Sequence, residues 1–282
     1  MAGGDIVVGS IDGYEWPSIR CWLLSLIQTG FEGRIVLFAY GISDRAVKEC
    51  ERHGAEVIEV SESLISHPYR HVNKERYFHY QRFLRAIQPD GVDRVISTDV
   101  RDLVFQRNPT KWLGAHAGEW DLVVSSEGIA YEHEPWNRGN AISVYGEGVY
   151  EGILKRRPVL NSGLVAGRPA ALAELFGLVY EKVYSKPSNF SDQIVFNYVL
   201  ACNEDTWNVL YTDHGSGWGC HAGVMGAPAR LDEVKAHIID DPPFLKNGEV
   251  CTKNGEAYCV VHQYDRVPEW RSSLTERYSP CP

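Results

Sequence analysis

Between residues 5 and 98, short apolar runs alternate with segments of helical spacing. Asp5–Gly9 (DIVVG), Arg34–Ala39 (RIVLFA), Ala55–Val60 and Arg94–Thr98 have the apolar, β-branched content of buried strands. Between them, Trp16–Thr29 carries Ile19, Leu23, Leu26 and Ile27 at helical spacing and closes at Gly30. Ser43–His53 opens on a capping serine and is followed by Gly54, and Asn73–Ile87 carries Tyr77, Tyr80, Phe83, Leu84 and Ile87 as a core stripe. Such alternation requires right-handed crossovers and a mainly parallel sheet, placing the chain in the α/β class. Ligands of such sheets bind beyond the carboxyl ends of the strands.

The second half is more mixed. Asp121–Ser125 and Val159–Ala166 read as strands, and Pro169–Tyr184 and Ser191–Cys202 as helices. Short strands at Trp207–Tyr211, His237–Ile239 and Tyr258–Val261 follow among glycine-rich loops. No repeat, low-complexity tract or long linker divides the 282 residues, so one continuous domain is expected.

The charge balance excludes several partners. A net charge of −9 without a basic stripe makes duplex nucleic acid and anionic membrane surfaces poor partners. A phosphorylated ligand stays open where a metal ion brings the positive charge. No run of 18 apolar residues exists, so no membrane span is expected, and MAGGDIVVGS lacks the basic start and long apolar run of a signal peptide. The seven cysteines form no C-x-x-C and are odd in number, which reads as reduced thiols and a cytoplasmic location. Cys251 and Cys259 flank a glycine-containing turn and are placed to face each other across a hairpin, which alone implies no disulfide.

The chemistry-bearing stretch is residues 95–105, VISTDVRDLVF. Asp99 follows the fourth strand directly, and Asp102 comes one turn later. Two unpaired carboxylates converging on one point repel unless a cation lies between them. Hard divalent ions such as manganese or magnesium take oxygen ligands and keep positions open for phosphate oxygens. The competing reading is that Asp102 caps the following turn while Asp99 pairs with Arg101 or another surface cation.

The stretch RVISTDVRDLVFQRNP resembles the DxD region of GT-A fold, nucleotide-sugar-dependent glycosyltransferases, loosely the glycogenin-like ones. The spacing here is D-x-x-D, one residue longer. Either both aspartates serve from a bulged loop, or one binds the metal directly; the spacing to Pro109 favours Asp102, with Asp99 acting through water or on the ribose. Other segments follow in the family's order. RYFHYQRFL (76–84) resembles the helix that turns a basic residue to the nucleotide, Arg82 fitting first and Arg76 next. LNSGLVAG (160–167) resembles the stretch lining donor sugar and acceptor. SDQIVFN (191–197) resembles the D-Q segment beside the reacting sugar, and VVHQYDR (260–266) the C-terminal histidine segment.

The resemblance implies a single GT-A domain over residues 1–282, with a nucleotide-binding half to about residue 110 and a donor-sugar and acceptor half from about 111. It implies a divalent metal on Asp99, Asp102 and His262, and a nucleoside diphosphate sugar as donor, UDP before GDP. Asn161, Ser162, Gly163, Asp192 and Gln193 would contact donor sugar and acceptor, and Arg101 the phosphates.

Residue chemistry alone leaves alternatives at most of these positions. Tyr14 can stack on a base and Asp12 accept from its imide N–H, with Ser10 beside them at the end of the first strand; equally, this is a solvated loop. Asp192 is either a helix cap, a general base on the acceptor hydroxyl, or a partner of the donor sugar. Asn161 is a sugar contact or a turn asparagine, and Gly163 leaves room for a ligand near the backbone. His262 is a metal ligand or an ordinary core histidine. Glu127 and Glu134 each offer a base for an inverting mechanism, with Glu127 held as the reserve candidate. His214 and His221 sit in a glycine-rich loop that is either a lid or acceptor loop or, the favoured reading, an ordinary long loop. The expected function is metal-dependent transfer of a sugar to a hydroxyl acceptor, a glycan first, with retention or inversion undecided. The rivals are a non-catalytic carbohydrate-binding protein of the same fold and a sugar nucleotidyltransferase. The latter is disfavoured because the loop SIDGYEWPS has no Lys or Arg.

Overall fold

The computed structural model describes residues 4–60, 71–87, 91–186, 191–225, 228–238 and 241–278. Its strands are β1 (Ile6–Asp12), β2 (Arg34–Tyr40), β3 (Ala55–Glu59), β4 (Val95–Thr98), β5 (Leu103–Phe105), β6 (Leu122–Ala130), β7 (Pro158–Gly167), β8 (Val209–Thr212), β9 (Gly219–His221), β10 (Phe244–Lys246), β11 (Glu249–Cys251) and β12 (Val260–His262). Seven of them form one sheet in the order β3-β2-β1-β4-β7-β6-β8. Only β7 runs against its neighbours, pairing antiparallel with both β4 and β6. The mainly parallel α/β sheet expected from the alternation is the one observed.

Both faces of the sheet are covered, which is why its strands are apolar on both sides. Along β1, Ile6 and Val8 pack with Tyr80, Leu84 and Phe176 on one face, while Val7 and Ile11 pack with Trp22, Leu26 and Leu37 on the other. Helices Val72–Ile87, Pro169–Val183 and Ser191–Cys202 supply the first layer, and helices Trp16–Gln28, Asp44–Arg52 and Pro109–His116 the second. The Ser43 hydroxyl caps its helix by accepting from Ala46 N at 3.2 Å.

A second sheet of three strands, in the order β5-β12-β9, lies at the carboxyl end of β4. It makes the C-terminal segment part of the N-terminal half. Gln106 holds this junction: its amide donates to the carbonyls of Val250 and Tyr258 at 2.9 and 3.2 Å and accepts from Val250 N at 2.8 Å, all buried.

Two expected details differ. His237 lies in a 3-10 turn (Lys235–His237), and Ile238 packs against Ile129 and Tyr131 instead of pairing; Ile239 lies outside the described residues. Cys251 and Cys259 do not face each other: Cys251 bridges to Ala257, and the Cys259 thiol donates to Arg107 O at 3.4 Å. Both are free thiols. Among the described residues, no helix is long and apolar enough to cross a membrane.

Removing the Gln106 amide leaves two carbonyls and one N–H buried without their partner. Gln106→Ala is therefore expected to lower the unfolding free energy by about 2 kcal/mol. Urea denaturation checks this, with Glu204→Ala at an exposed ion pair giving a far smaller change.

Candidate active site

The site is built where parallel strands end. β1 and β4 are neighbours whose pairing ends at Gly9 and Thr98, so the last residues of β1, Ser10–Asp12, come out beside Asp99. The turn after β4 packs down on β1, and Gly9 permits it: a Cβ there would lie 2.5 Å from Val100 Cγ2. The chain then enters β5, where Leu103 pairs with His262 of β12, so the histidine stands beside Asp102. Because β7 is antiparallel to β4, Thr98 opposes Leu164, and Asp99 N donates to Gly163 O at 2.8 Å. Arg76, from the first turns of helix Val72–Ile87, and Asp192, from the first turn of helix Ser191–Cys202, complete a cleft of about 290 Å³.

The charges in this cleft are tightly paired. The Arg76 guanidinium, 6 % exposed, donates to Asp99 Oδ1 at 2.5 Å and to Asp192 Oδ2 at 3.1 Å. The other oxygen of Asp99 faces His262 Nε2 at 3.3 Å, and Asp102 Oδ1 faces the same nitrogen at 3.7 Å. Burial opposes ionisation of Asp99 and Asp102, but Arg76 and His262 for the first, and His262 for the second, outweigh it and hold both carboxyls below their ordinary range. Burial likewise opposes the charged imidazole of His262, and the two facing carboxylates overcome it, raising its pKa to about 10. Asp192 is shifted upward by burial, against the pull of Arg76.

This group fits a divalent cation. Asp99, Asp102 and His262 each bring a ligand atom to within 4.8 Å of the others. His262 Nε2 is buried, and among the described residues it faces the two carboxylates, so its lone pair, once unprotonated, has them before it. Two oxygen donors and one imidazole suit manganese and, with a weaker nitrogen contribution, magnesium.

The far side of the imidazole is also fixed. His262 Nδ1 lies 3.2 Å from His221 Nδ1, and His221 Nε2 lies 2.7 Å from Ser125 Oγ. Burial, then the neighbouring His262, drives His221 far below the usual histidine range, so it is neutral. For His262 to offer Nε2 as a ligand, its proton sits on Nδ1 and donates to His221 Nδ1; His221 then carries its proton on Nε2 and donates to Ser125. Such outer partners set ligand tautomers in metal sites.

Gly163 does something other than admit a ligand. The space above its Cα is occupied by site side chains: a Cβ there would lie 2.6 Å from both Asp99 Oδ2 and His262 Cε1. Asn161 Oδ1 accepts from Gly163 N at 2.8 Å, and its Nδ2 donates to Glu127 Oε1 at 2.9 Å. Gln193 Nε2 donates to the same Glu127 oxygen at 3.0 Å and to Asn137 Oδ1 at 3.0 Å. Glu127 is shifted upward by burial, against its bond from Asn161.

Most residues picked from the sequence meet here. Ser10, Asp12, Tyr14 and Arg101 line the cleft, as do Asn161, Ser162, Gly163, Asp192 and Gln193. The Ser10 hydroxyl donates to Tyr80 Oη at 2.7 Å, and Arg101 pairs at the rim with Asp102 at 3.3 Å and Asp265 at 3.6 Å. Arg82 is a correction: it is exposed, stacked over Phe78 with its guanidinium carbon 5.6 Å from the ring centroid, and Arg76 occupies the place expected of it. The signal was present, since Arg76 is one turn before Tyr80 on the buried stripe and Arg82 is off it. Glu134 is fully buried and caps helix Pro135–Tyr145, accepting from Asn137 N at 2.6 Å. His214 is buried away from the cleft, its carbonyl accepting from Tyr258 Oη at 2.7 Å. The His214–His221 loop therefore supplies core and the histidine behind His262, not a lid. Trp136 also lines the cleft, unmarked by any pattern in the sequence, and so do Gln263 and Arg266 of the VVHQYDR segment, where only His262 was given a role.

Solved structures share this architecture along the whole chain. The bifunctional glycosyltransferase WbbM superposes with a TM-score of 0.63 at 14% identity, covering 100% of this chain and 50% of WbbM. The chain has a GT-A glycosyltransferase fold. It spans half the length of WbbM. The galactosyltransferase LgtC, in complex with donor and acceptor sugar analogues, gives a TM-score of 0.55 at 14% identity over 98% of this chain and 97% of LgtC. An active-site mutant of LgtC gives 0.57 at the same identity and coverage. No protein-family model matches the sequence, and no curated protein matches it.

Two outcomes test the cluster. Gly163→Ala is expected to push Asp99 and His262 apart and weaken manganese affinity about tenfold or more, read by electron paramagnetic resonance, with the far-ultraviolet circular dichroism unchanged. The raised pKa of His262 also predicts a pH effect on chelator-treated protein. Unfolding releases a group of ordinary pKa 6.5 from one of about 10, so its stabilisation is complete below pH 6.5 and is lost as pH rises toward 10. Thermal unfolding across that window should show the decline, and His262→Asn should flatten it.

Proposed function

We propose that this protein is a metal-dependent glycosyltransferase that moves a sugar from a nucleoside diphosphate sugar, UDP-linked in the first instance, to a hydroxyl of a carbohydrate acceptor. The observation that carries this reading is the Asp99–Asp102–His262 cluster, formed where the turn after β4 meets the end of β12, in a glycosyltransferase fold. The chain is read as one domain, with its nucleotide half to about residue 110 and its sugar half after it. Free thiols at all six described cysteines support a cytoplasmic location.

Each side chain has work that follows from its place. Tyr14, partly buried at the cleft edge, offers a face to the base, and Asp12 an acceptor for the base's imide N–H. Arg101 stands at the rim with a guanidinium for the phosphates. When bound, manganese or magnesium on Asp99, Asp102 and His262 supplies Lewis-acid stabilisation of the leaving diphosphate. Arg76 holds Asp99 and Asp192 at fixed positions. Asn161, Ser162 and Gln193 orient the sugar, which contributes through positioning. Asp192 either takes the proton of the acceptor hydroxyl, giving inversion, or holds the donor sugar, leaving a retaining route. The anomeric configuration of the product separates the two.

Calorimetric titration of UDP tests the reading. Binding is expected in manganese and is expected to fall at least tenfold with excess chelator or in Asp102→Ala. Binding indifferent to both would sink the metal–diphosphate assignment. Glycosyl transfer that survives Asp99→Asn with Asp102→Asn would do the same, and a sugar-binding role without transfer would then stand in its place.

A further inference from the structure

Asn161 and Gln193, which line the cleft, belong to a row of five hydrogen-bonded side chains that runs Glu134, Asn137, Gln193, Glu127, Asn161. Glu127 comes from β6, Glu134 and Asn137 from the cap and first turn of helix Pro135–Tyr145, Asn161 from β7, and Gln193 from the first turn of helix Ser191–Cys202. All but Gln193 are buried, Glu134 and Asn137 most deeply at 0% and 1% exposed.

A side-chain amide has a donor end and an acceptor end, and either can be turned toward a neighbour. Both ends of this row settle which. Glu134 Oε2 accepts the backbone N–H of Asn137 at 2.6 Å, so it is an acceptor, and the Asn137 atom beside it at 2.8 Å is the donor Nδ2. Asn137 Oδ1 is thereby turned to Gln193, whose Nε2 donates to it at 3.0 Å. From the other end, Gly163 N donates to Asn161 Oδ1 at 2.8 Å, so Asn161 Nδ2 faces Glu127 and donates to its Oε1 at 2.9 Å. The same Glu127 oxygen accepts from Gln193 Nε2 at 3.0 Å. Turning the Gln193 amide over would set its oxygen against two others and leave both without that donor.

Both N–H groups of Gln193 are therefore committed to the row, and the atom it offers to the cleft is Oε1, an acceptor. Gln193 follows Asp192, which Arg76 ties to Asp99 of the metal-type cluster, so a hydroxyl that meets it belongs to the sugar on the diphosphate. Resting on the glycosyltransferase reading above, we propose that Glu134 and Asn137 are positioning residues: they hold Gln193 with its carbonyl oxygen to the donor sugar, so that this point of the cleft takes a sugar hydroxyl and refuses a group that only accepts, such as a carboxylate. Glu134 does so from the core, through Asn137.

NMR of the full chain labelled at glutamine with carbon-13 and nitrogen-15 tests this, the Gln193 signals being those lost in Gln193→Glu. Both Nε2 protons are expected to exchange with water about tenfold or more slower than those of the exposed Gln28. Asn137→Ala and Glu134→Ala are each expected to speed the exchange, while Glu134→Gln, which still has an oxygen to accept both N–H groups, keeps it slow. UDP-glucose, UDP-galactose and UDP-N-acetylglucosamine are then added with magnesium, a diamagnetic ion. At least one is expected to shift Gln193 Cδ while its Nε2 protons stay slow. Asn137→Ala is expected to weaken binding of that UDP-sugar about tenfold and of UDP less than about twofold, the loss of one well-placed hydrogen bond. Fast Nε2 exchange in the unaltered chain, Nε2 protons that speed up on adding the UDP-sugar, or the same UDP-sugar affinity in Asn137→Ala would overturn the assignment. The unaltered chain decides the orientation even where a variant fails to fold by circular dichroism. If UDP does not bind, the donor assignment falls with the reading it rests on; fast exchange at Gln193 in a chain that binds UDP overturns this inference alone.

Discussion

The Arg76 guanidinium between Asp99 and Asp192 is the interaction on which the site depends. Taking Arg76, Asp102 and Asp192 out of water is costly, and the mutual attraction repays it only with good geometry on every partner. Here one planar group reaches two carboxylates from different elements, the end of β4 and the start of a helix more than ninety residues later. It thus fixes the distance between the Asp99–Asp102–His262 cluster and Asp192. Lysine, a point charge without a fork, would not hold both at once.

The charges of the cleft follow from this pairing. Asp12, Asp99, Asp102 and Asp192 line it against Arg76, Arg101 and Arg266. Arg76 is committed to Asp99 and Asp192, and Arg101 reaches Asp102 from the half-exposed rim at 3.3 Å. The buried His262 faces both Asp99 and Asp102, which is why the two carboxylates hold its proton so strongly. A cation at the same place would displace that proton.

Much of this was legible in the sequence because it rests on local pattern. Strand ends followed by Asp99, and by Ser10 and Asp12, announce a ligand side in any parallel sheet. His262 was legible only through the order of segments, since its pairing with Leu103 spans more than 150 residues. Arg82 was mistaken for Arg76 because composition does not say which face of helix Val72–Ile87 points at the strand ends; the tyrosine stripe does. Of the expected His237–Ile239 strand, the described residues His237 and Ile238 form none, because Ile238 packs into a core cluster instead. Gly163 was read as room for a ligand, whereas its missing Cβ makes room for two of the chain's own side chains, a contact that no local pattern encodes.

The surroundings of Ser125 and Glu127 also explain why β6 needs its bulges. Two residues apart on a regular strand, they would share a face, yet Ser125 meets His221 while Glu127 meets Asn161 and Gln193. The register shifts between Val124 and Ser126 and between Ser126 and Ala130 release that constraint. Ser125 then meets His221, Ser126 accepts from Gly128 N, and Glu127 meets Asn161 and Gln193. One irregular strand thereby supports both the imidazole of His262, through His221, and the amides of Asn161 and Gln193, so a deformation there moves both sides of the charged cleft.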